Sequence, residues 1–299
     1  MTTKPVSTRK LTLLVSTLFL SLATSTGALA QSPPQTDVWL VSLNNQSPAA
    51  PIKVNPTVGY NNQPLFSTDG SMLFYAREMS HSTEGTQTDI AAYDIESQTT
   101  RMINSNDESE YSPTPIPGRN ALSVIEVEPD GKQKLWSIDI QNGEMERLLP
   151  NVEPVGYHAW INDKSVAMFI LGETFTLQTA EIGDGGATVI AENIGRSIRK
   201  HPQTGEILYV DQNSEPWQIA AINIKTGAKR NVMSLFPNGE DFTIDSKGIY
   251  WTGQGSKLYQ RSPNDSAWQL VADFSAYGID NITRLATDPS ISNIAIVSQ

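Results

Sequence analysis

Beyond residue 36, apolar residues occur in short runs that Gly, Asp, Asn and Pro interrupt, and the chain shows almost no helical periodicity. Two kinds of unit alternate. The first is a hairpin, in which an alternating strand, a tight polar turn and a second strand follow one another, as in "DIAAYDIESQTTRMI". The second is a turn followed by a short, strongly apolar strand, as in "NDKSVAMFIL". This pattern predicts an all-β protein.

The hairpin recurs at a nearly constant period. The residues that precede its turns are Ile95, Ile140, Ile182, Ile224 and Ser262, which lie 45, 42, 42 and 38 residues apart. A sixth copy occupies residues 37–54, and the apolar strand also occurs six times, with its last copy at the end of the sequence. Units of about 40 to 45 residues with four strands are typical of propeller blades.

We therefore predict a six-bladed β-propeller of four-stranded blades over residues 31–299. Residues 37–54 supply the outer strands of the blade whose inner strands lie within residues 282–298. We expect residues 38–41 to pair antiparallel with residues 294–297, which closes the ring and leaves no open sheet edge. A pair of β-sandwiches explains neither the constant period nor the divided copy. The hairpin glycines are expected to adopt positive φ: Gly70, Gly131, Gly143 and Gly227.

Residues 1–30 have the pattern of a signal peptide. Lys4, Arg9 and Lys10 precede a short apolar run, and the small residues "ALA" stand immediately before Gln31. We expect cleavage before Gln31, export to the periplasm or beyond the cell, and no stable membrane insertion afterwards. An uncleaved signal anchor is the alternative, although Ser and Thr within the run weaken it.

Composition narrows the possible partners. Cleavage removes three of the 21 basic residues and none of the 32 acidic ones, so the remaining 269 residues carry a net charge of −14. Such a balance argues against binding to nucleic acid or to anionic membranes, because both need clustered Lys and Arg. It favours cationic or neutral partners. The absence of cysteine excludes disulfides and thiolate metal sites. We expect a monomer.

Several repeats resemble the WD-like repeats of TolB-type propellers. The resemblance is carried by "PLFSTDGSMLFYARE", residues 64–78, and by hairpins with the turns "DIESQT" and "NIKTGA". It implies a periplasmic propeller that binds another protein. TolB itself has an α/β domain before its propeller, whereas only residues 31–36 separate the expected cleavage site here from the first strand. The role of TolB in the Tol–Pal envelope system is therefore not carried over to this chain.

Sequence motifs of catalysis are absent: the chain contains no G-x-S-x-G, no H-x-x-x-H and no Gly-rich phosphate loop. Propellers bind ligands at the mouth of the central channel, where each innermost strand begins. Aligning the six repeats predicts that one polar segment per blade reaches this mouth. The residues expected to bind a ligand or partner there are Asn62, Glu110, Tyr111, His158, Arg196, Asp241 and Arg284. Ordinary solvation of a channel mouth is the alternative explanation of polar residues there.

His158 is expected either at the channel mouth or in a hydrogen bond to a neighbouring blade, whereas Trp160 and Met168 are expected to pack inside their blade. The favoured function is a non-catalytic scaffold that binds a protein or small ligand and needs no cofactor. The alternative is a lactonase-like hydrolase with a divalent ion such as Ca²⁺ in the channel. Its ligands would be Asn62, Glu110 and Asp241, since Ca²⁺ prefers oxygen ligands. The acidic segment "NSNDESE", residues 104–110, does not have EF-hand spacing and is expected to be a loop between blades.

Overall fold

The computed structural model describes residues 34–44, 47–81, 85–183, 185–237 and 239–299. The signal peptide expected at residues 1–30 lies outside these described residues. The described strands form six antiparallel sheets. The one helical segment among the described residues is a 3-10 turn at Ser275–Tyr277. Within this part of the chain, no helix has the length and apolar character needed to cross a membrane. The predicted all-β, six-bladed propeller is confirmed.

Five blades are continuous in sequence, and in each of them the four strands pair in the order in which they occur in the chain. Three strands precede them: β1 (Asp37–Asn44), β2 (Ser47–Pro48) and β3 (Ile52–Lys53). Blade 1 consists of β4 (Asn61–Phe66), β5 (Met72–His81), β6 (Gly85–Asp94) and β7 (Thr99–Met102). Blade 2 consists of β8 (Ser109–Pro115), β9 (Ala121–Val127), β10 (Gln133–Asp139) and β11 (Met145–Arg147).

The remaining blades repeat this arrangement. Blade 3 consists of β12 (Val155–Trp160), β13 (Ser165–Ile170), β14 (Thr176–Glu181) and β15 (Thr188–Glu192). Blade 4 consists of β16 (Ile194–Lys200), β17 (Ile207–Asp211), β18 (Gln218–Ile222) and β19 (Lys229–Ser234). Blade 5 consists of β20 (Thr243–Ile244), β21 (Tyr250–Gln254), β22 (Lys257–Arg261) and β23 (Gln269–Asp273). The closing blade adds β24 (Ile282–Thr287) and β25 (Asn293–Ser298) to β1, β2 and β3.

The two ends of the propeller share the closing blade, as predicted. Strand β1 pairs antiparallel with β25, with Val38 opposite Val297 and Val41 opposite Ile294. The indole of Trp39 also donates a hydrogen bond to Ser298 Oγ at 2.9 Å. The outermost position differs from the expected single strand, because two short strands, β2 and β3, each pair with β1. Closure leaves β25 with a hydrogen-bonded neighbour on each side.

The hydrophobic core is divided among the six interfaces between neighbouring blades. One cluster joins Leu135 of blade 2 to Val166, Met168 and Trp160 of blade 3, all of them buried. Five further clusters occupy the other interfaces in the same way. The second strand of a blade is consequently buried on both faces, which explains why β13 is apolar at five consecutive positions and why six consecutive positions of β9 are buried. The packing role expected for Trp160 and Met168 is confirmed.

The hairpin turns have the expected backbone. Gly70, Gly131, Gly143 and Gly227 have φ angles of 77°, 81°, 73° and 72°, in the left-handed region that glycine adopts without strain. At Gly143 a side chain is excluded for a second reason, because a Cβ there would lie 2.9 Å from the carbonyl oxygen of Ile103 in the neighbouring blade. The sequence-based placement of these turns is confirmed.

Candidate functional site in the central channel

The innermost strands are irregular where they begin. Register shifts interrupt the pairing of five of them, β4, β8, β12, β16 and β24, and the sixth, β20, is only two residues long. In β4 and β8 the irregularity includes Gln63 and Ser112, whose φ angles are 58° and 56°. Pro64 and Pro113 follow them and have no N–H for the sheet ladder. Bulges of this kind redirect side chains, here towards the channel.

These irregular segments surround one cavity of about 220 Å³ that receives side chains from all six blades. Its walls differ in character. Blades 1 and 2 contribute an apolar wall that includes Pro64, Leu65 and Pro113. Blade 4 and the closing blade contribute a cationic wall that consists of Arg196, Arg199, Lys200 and Arg284, and Asp241 is the one acidic side chain in the described lining. The local charge is therefore opposite to that of the chain as a whole.

The bulge in β16 explains how two arginines of one strand reach the same cavity. Arg196 and Arg199 are three positions apart, so that a regular strand would place them on opposite faces. The pairing shifts between Ile194 and Ile198, which breaks the alternation between these arginines. Both side chains then line the cavity. The sequence "IGRSIRK" does not show this, because a bulge has no fixed sequence pattern here.

The arginines of blade 4 reach past blade 5 to the closing blade. Arg196 donates to the carbonyl oxygen of Thr283 at 3.2 Å, and Arg199 donates to that of Leu285 at 3.4 Å. The short innermost strand of blade 5 leaves room for these contacts. The segment before β20 supplies the counter-charges: Glu240 lies 3.1 Å from Arg196, and Asp241 lies 3.8 Å from Arg199.

Arg284 and Tyr157 meet across the channel. They belong to the closing blade and blade 3, which lie opposite each other in a ring of six. Arg284 Nη2 donates to the Tyr157 hydroxyl at 2.7 Å, and the guanidinium lies 5.0 Å from the centre of the phenol ring. Burial alone would raise the pKa of the Tyr157 phenol, but Arg284 and Arg196 outweigh it, so the pKa lies below its usual value.

His158 lines the cavity and is also bonded to a neighbouring blade. Its Nε2 lies 2.5 Å from Ser123 Oγ of blade 2, which donates to the carbonyl of Thr114 and accepts from Trp160 Nε1. With the hydroxyl proton directed to the Thr114 carbonyl, the matching tautomer of His158 donates through Nε2–H. Burial lowers the pKa of His158 to about 3, which keeps the ring neutral. Because Ser123 is fully buried, this serine–histidine contact is structural.

The structure separates the seven residues predicted for the channel mouth into two groups. His158, Arg196, Asp241 and Arg284 line the cavity, whereas Asn62, Glu110 and Tyr111 are not part of its lining. Asn62 is buried and accepts a hydrogen bond from the backbone N–H of Gln63. Tyr111 packs edge-on against Tyr60, with ring centres 6.1 Å apart. These three residues lie outside the cavity because the bulges turn neighbouring side chains in different directions, and their predicted role in binding stays a prediction.

Glu110 points into the interface between blades 1 and 2. Its carboxylate accepts hydrogen bonds from Asn104 at 2.6 Å and Asn106 at 2.8 Å, and no part of the residue is exposed. Asp89 and Glu126 lie close enough to repel its charge. Burial is the larger cause, and together they raise the pKa of Glu110 to about 8. Residues 104–110 thus connect two blades, as expected, but both ends of the segment are buried.

The structure does not bring together the three metal ligands expected for the lactonase-like alternative, Asn62, Glu110 and Asp241. Glu110 is bonded to two asparagines, whereas Asp241 faces Arg199 and accepts from the backbone N–H of Leu285 at 3.1 Å. Among the described residues, no group of three or more His, Asp or Glu side chains is arranged to hold a metal ion. The carboxylates named for this alternative therefore have other partners on the protein.

Several residues of the site are not among the seven predicted positions, and they include Arg199, Tyr157 and Gln63. The bulge in β16 prevents the strand pattern from predicting Arg199, whereas Gln63 directly follows the predicted Asn62 and Tyr157 directly precedes the predicted His158. Gln63 shares hydrogen bonds with Tyr157 of blade 3 and with the backbone N–H of Ser112 of blade 2 at 2.8 Å. The repetition of a polar residue before proline in Gln63–Pro64 and Ser112–Pro113 is the one signal in the sequence that indicates these positions.

No model of a known family matches the sequence, and no curated protein sequence matches it. Solved structures do resemble it. A protein of Agrobacterium tumefaciens assigned as a TolB has a TM-score of 0.68 at 11% identity, over 88% of this chain and 98% of that chain. A gluconolactonase of Xanthomonas campestris has a TM-score of 0.62 at 9% identity, over 90% of this chain and 99% of that chain. An oligogalacturonate lyase of Vibrio parahaemolyticus has a TM-score of 0.56 at 14% identity, over 83% of this chain and 80% of that chain.

At such identities these similarities show the fold alone. The resemblance to TolB-type propellers is supported at the level of structure, and the same fold is found in two enzymes. The fold therefore does not decide between binding and catalysis, and the residues of the channel have to carry the functional argument.

Proposed function

We propose that this chain is an exported, periplasmic propeller that binds a ligand or a partner protein in its central channel without catalysing a reaction. The observation that carries the proposal is the cavity to which all six blades contribute. Convergence of six segments on one concave site is the usual arrangement of a ligand site on this kind of scaffold. The signal-peptide pattern of residues 1–30 supports export, and the molecule is proposed to act as a monomer.

The lining supports binding better than it supports hydrolysis. Its ionic groups are mostly arginines, which remain protonated and serve as hydrogen-bond donors, not as general bases. His158 is neutral and already bonded to Ser123. The lactonase-like alternative rests on fold similarity to gluconolactonase, and two of its three named ligands are engaged elsewhere. We therefore favour a binding protein.

The test is affinity purification from a periplasmic extract with tagged wild type and two kinds of variant. Thr114→Trp places a bulky ring in the cavity, and Arg196→Ala or Arg284→Ala removes cationic lining. Recovery of the partner should fall for all three. Lys229→Ala, on an exposed outer strand, should have no effect. Equal recovery by wild type and the channel variants would move the binding site to the grooves between blades.

A further inference from the structure

The channel contains more partly buried positive charge than the carboxylates of the protein compensate. Three guanidiniums, those of Arg196, Arg199 and Arg284, share the carboxylates of Glu240 and Asp241, so that this partly buried cluster has a net charge of +1. The exposed Lys200, which also lines the cavity, adds a solvated positive charge. The whole chain, in contrast, has a net charge of −11. The preference for cationic partners inferred from composition therefore does not apply to the channel, whose local charge favours an anion.

These arginines cannot relieve the imbalance by losing a proton. Burial lowers the pKa of Arg199, yet a guanidinium stays charged at any physiological pH. The Nε atoms of Arg196 and Arg199 are also buried and have no hydrogen-bond acceptor among the described residues. A partly buried cation without a full set of partners is unfavourable, and an anion that enters the cavity would offset this cost.

We infer that the cavity binds a ligand through one carboxylate group, held against Arg199 and Arg284, with an apolar part of the ligand against Pro64, Leu65 and Pro113. The inference rests on the proposed function, because it names the chemistry of the ligand for the same cavity. One carboxylate neutralises the net charge of +1 of the guanidinium cluster, whereas a phosphate dianion would leave that cluster with a net negative charge beside Glu240 and Asp241. Arginine also suits a carboxylate because its planar donors match the two oxygens.

The size of the cavity limits what enters it. Pockets for drug-sized ligands measure about 300 to 1,000 Å³, whereas this one measures about 220 Å³. It therefore admits a small organic acid or the carboxyl-terminal end of a peptide. The two sources have the carboxylate in common.

Calorimetric titration of the full chain with matched pairs of probes tests the inference. The small-molecule pair is 3-phenylpropionate and 3-phenylpropionamide, which differ in charge and hardly in shape. The peptide pair is N-acetylated tetra-alanine with a free or an amidated carboxyl terminus. At least one acid should bind about tenfold or more tightly than its amide, because hydrogen bonds to charged groups are the stronger ones. The pair that shows the difference identifies the source. Inorganic phosphate should bind more weakly than that acid.

Arginine variants test whether the preference for the acid over the amide arises in the cavity. Arg199→Gln and Arg284→Gln should each weaken binding of the preferred acid by about tenfold or more and leave the amide unchanged. Arg119→Gln is the matched control, because it makes the same change at an exposed arginine outside the cavity lining and should leave acid binding unaltered. Circular dichroism confirms that each variant is folded. If one arginine variant is unfolded, the other carries the test.

The outcomes separate this inference from the proposed function. Acid and amide that bind equally, or phosphate that binds more tightly than either acid, would overturn the inference. If such charge-independent binding is still lost in Thr114→Trp, the cavity remains the binding site and only its chemistry is wrong. The proposed function itself fails in a different measurement, when the partner is recovered equally well by wild type and Thr114→Trp.

Discussion

Two regions of this propeller withdraw ionisable groups from much of the solvent, and the groups respond in opposite ways. Between blades 1 and 2, Glu110 and Glu126 lie near each other and near Asp89, and burial raises their pKa values to about 8 and about 7. In the channel, three arginines face two carboxylates. The carboxyl groups can take up a proton and become neutral, whereas the guanidiniums stay charged.

This difference separates a structural region from a binding region. A carboxyl group that holds its proton needs only hydrogen-bond partners, and Glu110 has them in Asn104 and Asn106. A permanent positive charge needs a negative partner, and where the protein supplies too few of them, a ligand can supply the rest. Buried charge by itself is therefore a poor indicator of a binding site. Whether a buried charge marks a binding site depends on the type of ionisable group that carries it.

The largest effect is expected when a counter-charge is removed from the arginine cluster. Asp241→Asn should destabilise the protein by about 3 kcal/mol, because it leaves Arg199 without a buried carboxylate. Glu146→Gln is the matched control: its pair with Arg119 has the same separation of 3.8 Å but is exposed, so its loss should cost less than about 1 kcal/mol. Urea unfolding measures both. Similar costs for the two variants would show that the channel cluster is fully solvated.

A smaller effect is expected in the acidic region, where glutamine resembles the protonated form of glutamate. Glu110→Gln should cost about 1 kcal/mol at pH 5, the equivalent of one hydrogen bond. The pKa of Glu110 is about 8 in the folded state and about 4.5 otherwise, so the folded state retains a proton that the unfolded state loses. Wild-type stability should therefore fall as the pH rises from about 5 to about 8.

The Glu110→Gln variant should lose much of this decline in stability with rising pH. Titration of Glu126, whose pKa is about 7, accounts for the rest of the decline. Urea unfolding at three pH values between 5 and 8 measures it. A loss of several kcal/mol at pH 5, or an unchanged slope, would mean that Glu110 is ionised in the folded protein. The contrast with the channel would then no longer hold.

A third prediction changes the charge of the channel through ionisation of the Tyr157 phenol, while all three arginines are retained. The pKa of the Tyr157 phenol lies below its usual value, so it ionises at a lower pH than an ordinary tyrosine does and then neutralises Arg284. Binding of the preferred carboxylate probe should weaken as the pH rises towards the usual tyrosine pKa of about 10. Tyr157→Phe should abolish this decline. A decline of equal size in the variant would assign it to another group.

The smallest effect is expected from calcium. Since Glu110 and Asp241 are bonded to protein donors, addition of Ca²⁺ at pH 7 should leave the melting temperature unchanged to within about 1 °C, because only a ligand that binds the folded state raises it. A clear rise that disappears in Glu110→Gln would identify the acidic region as a cation site. A rise that disappears in Asp241→Asn would restore the metal-dependent alternative in the channel.

The repeat pattern was sufficient to predict the architecture. The period of the hairpins, the divided sixth copy and the turn glycines led to six blades, the closing pair of β1 and β25, and the positive φ of Gly143 and Gly227. These features depend on local propensities and on a period of two along each strand. Such information is present in short stretches of sequence.

The direction of each side chain at the channel was decided by the tertiary structure. Bulges in the innermost strands interrupt the period of two, so that Arg199 joins Arg196 in the cavity while Glu110 turns into the interface between blades. Arg284 and Tyr157 are 127 positions apart in the chain and meet because their blades face each other across the ring. The alternation of polar and apolar residues shows neither where the bulges lie nor that these two residues come into contact across the channel. Both features arise from how six twisted sheets fit around one axis.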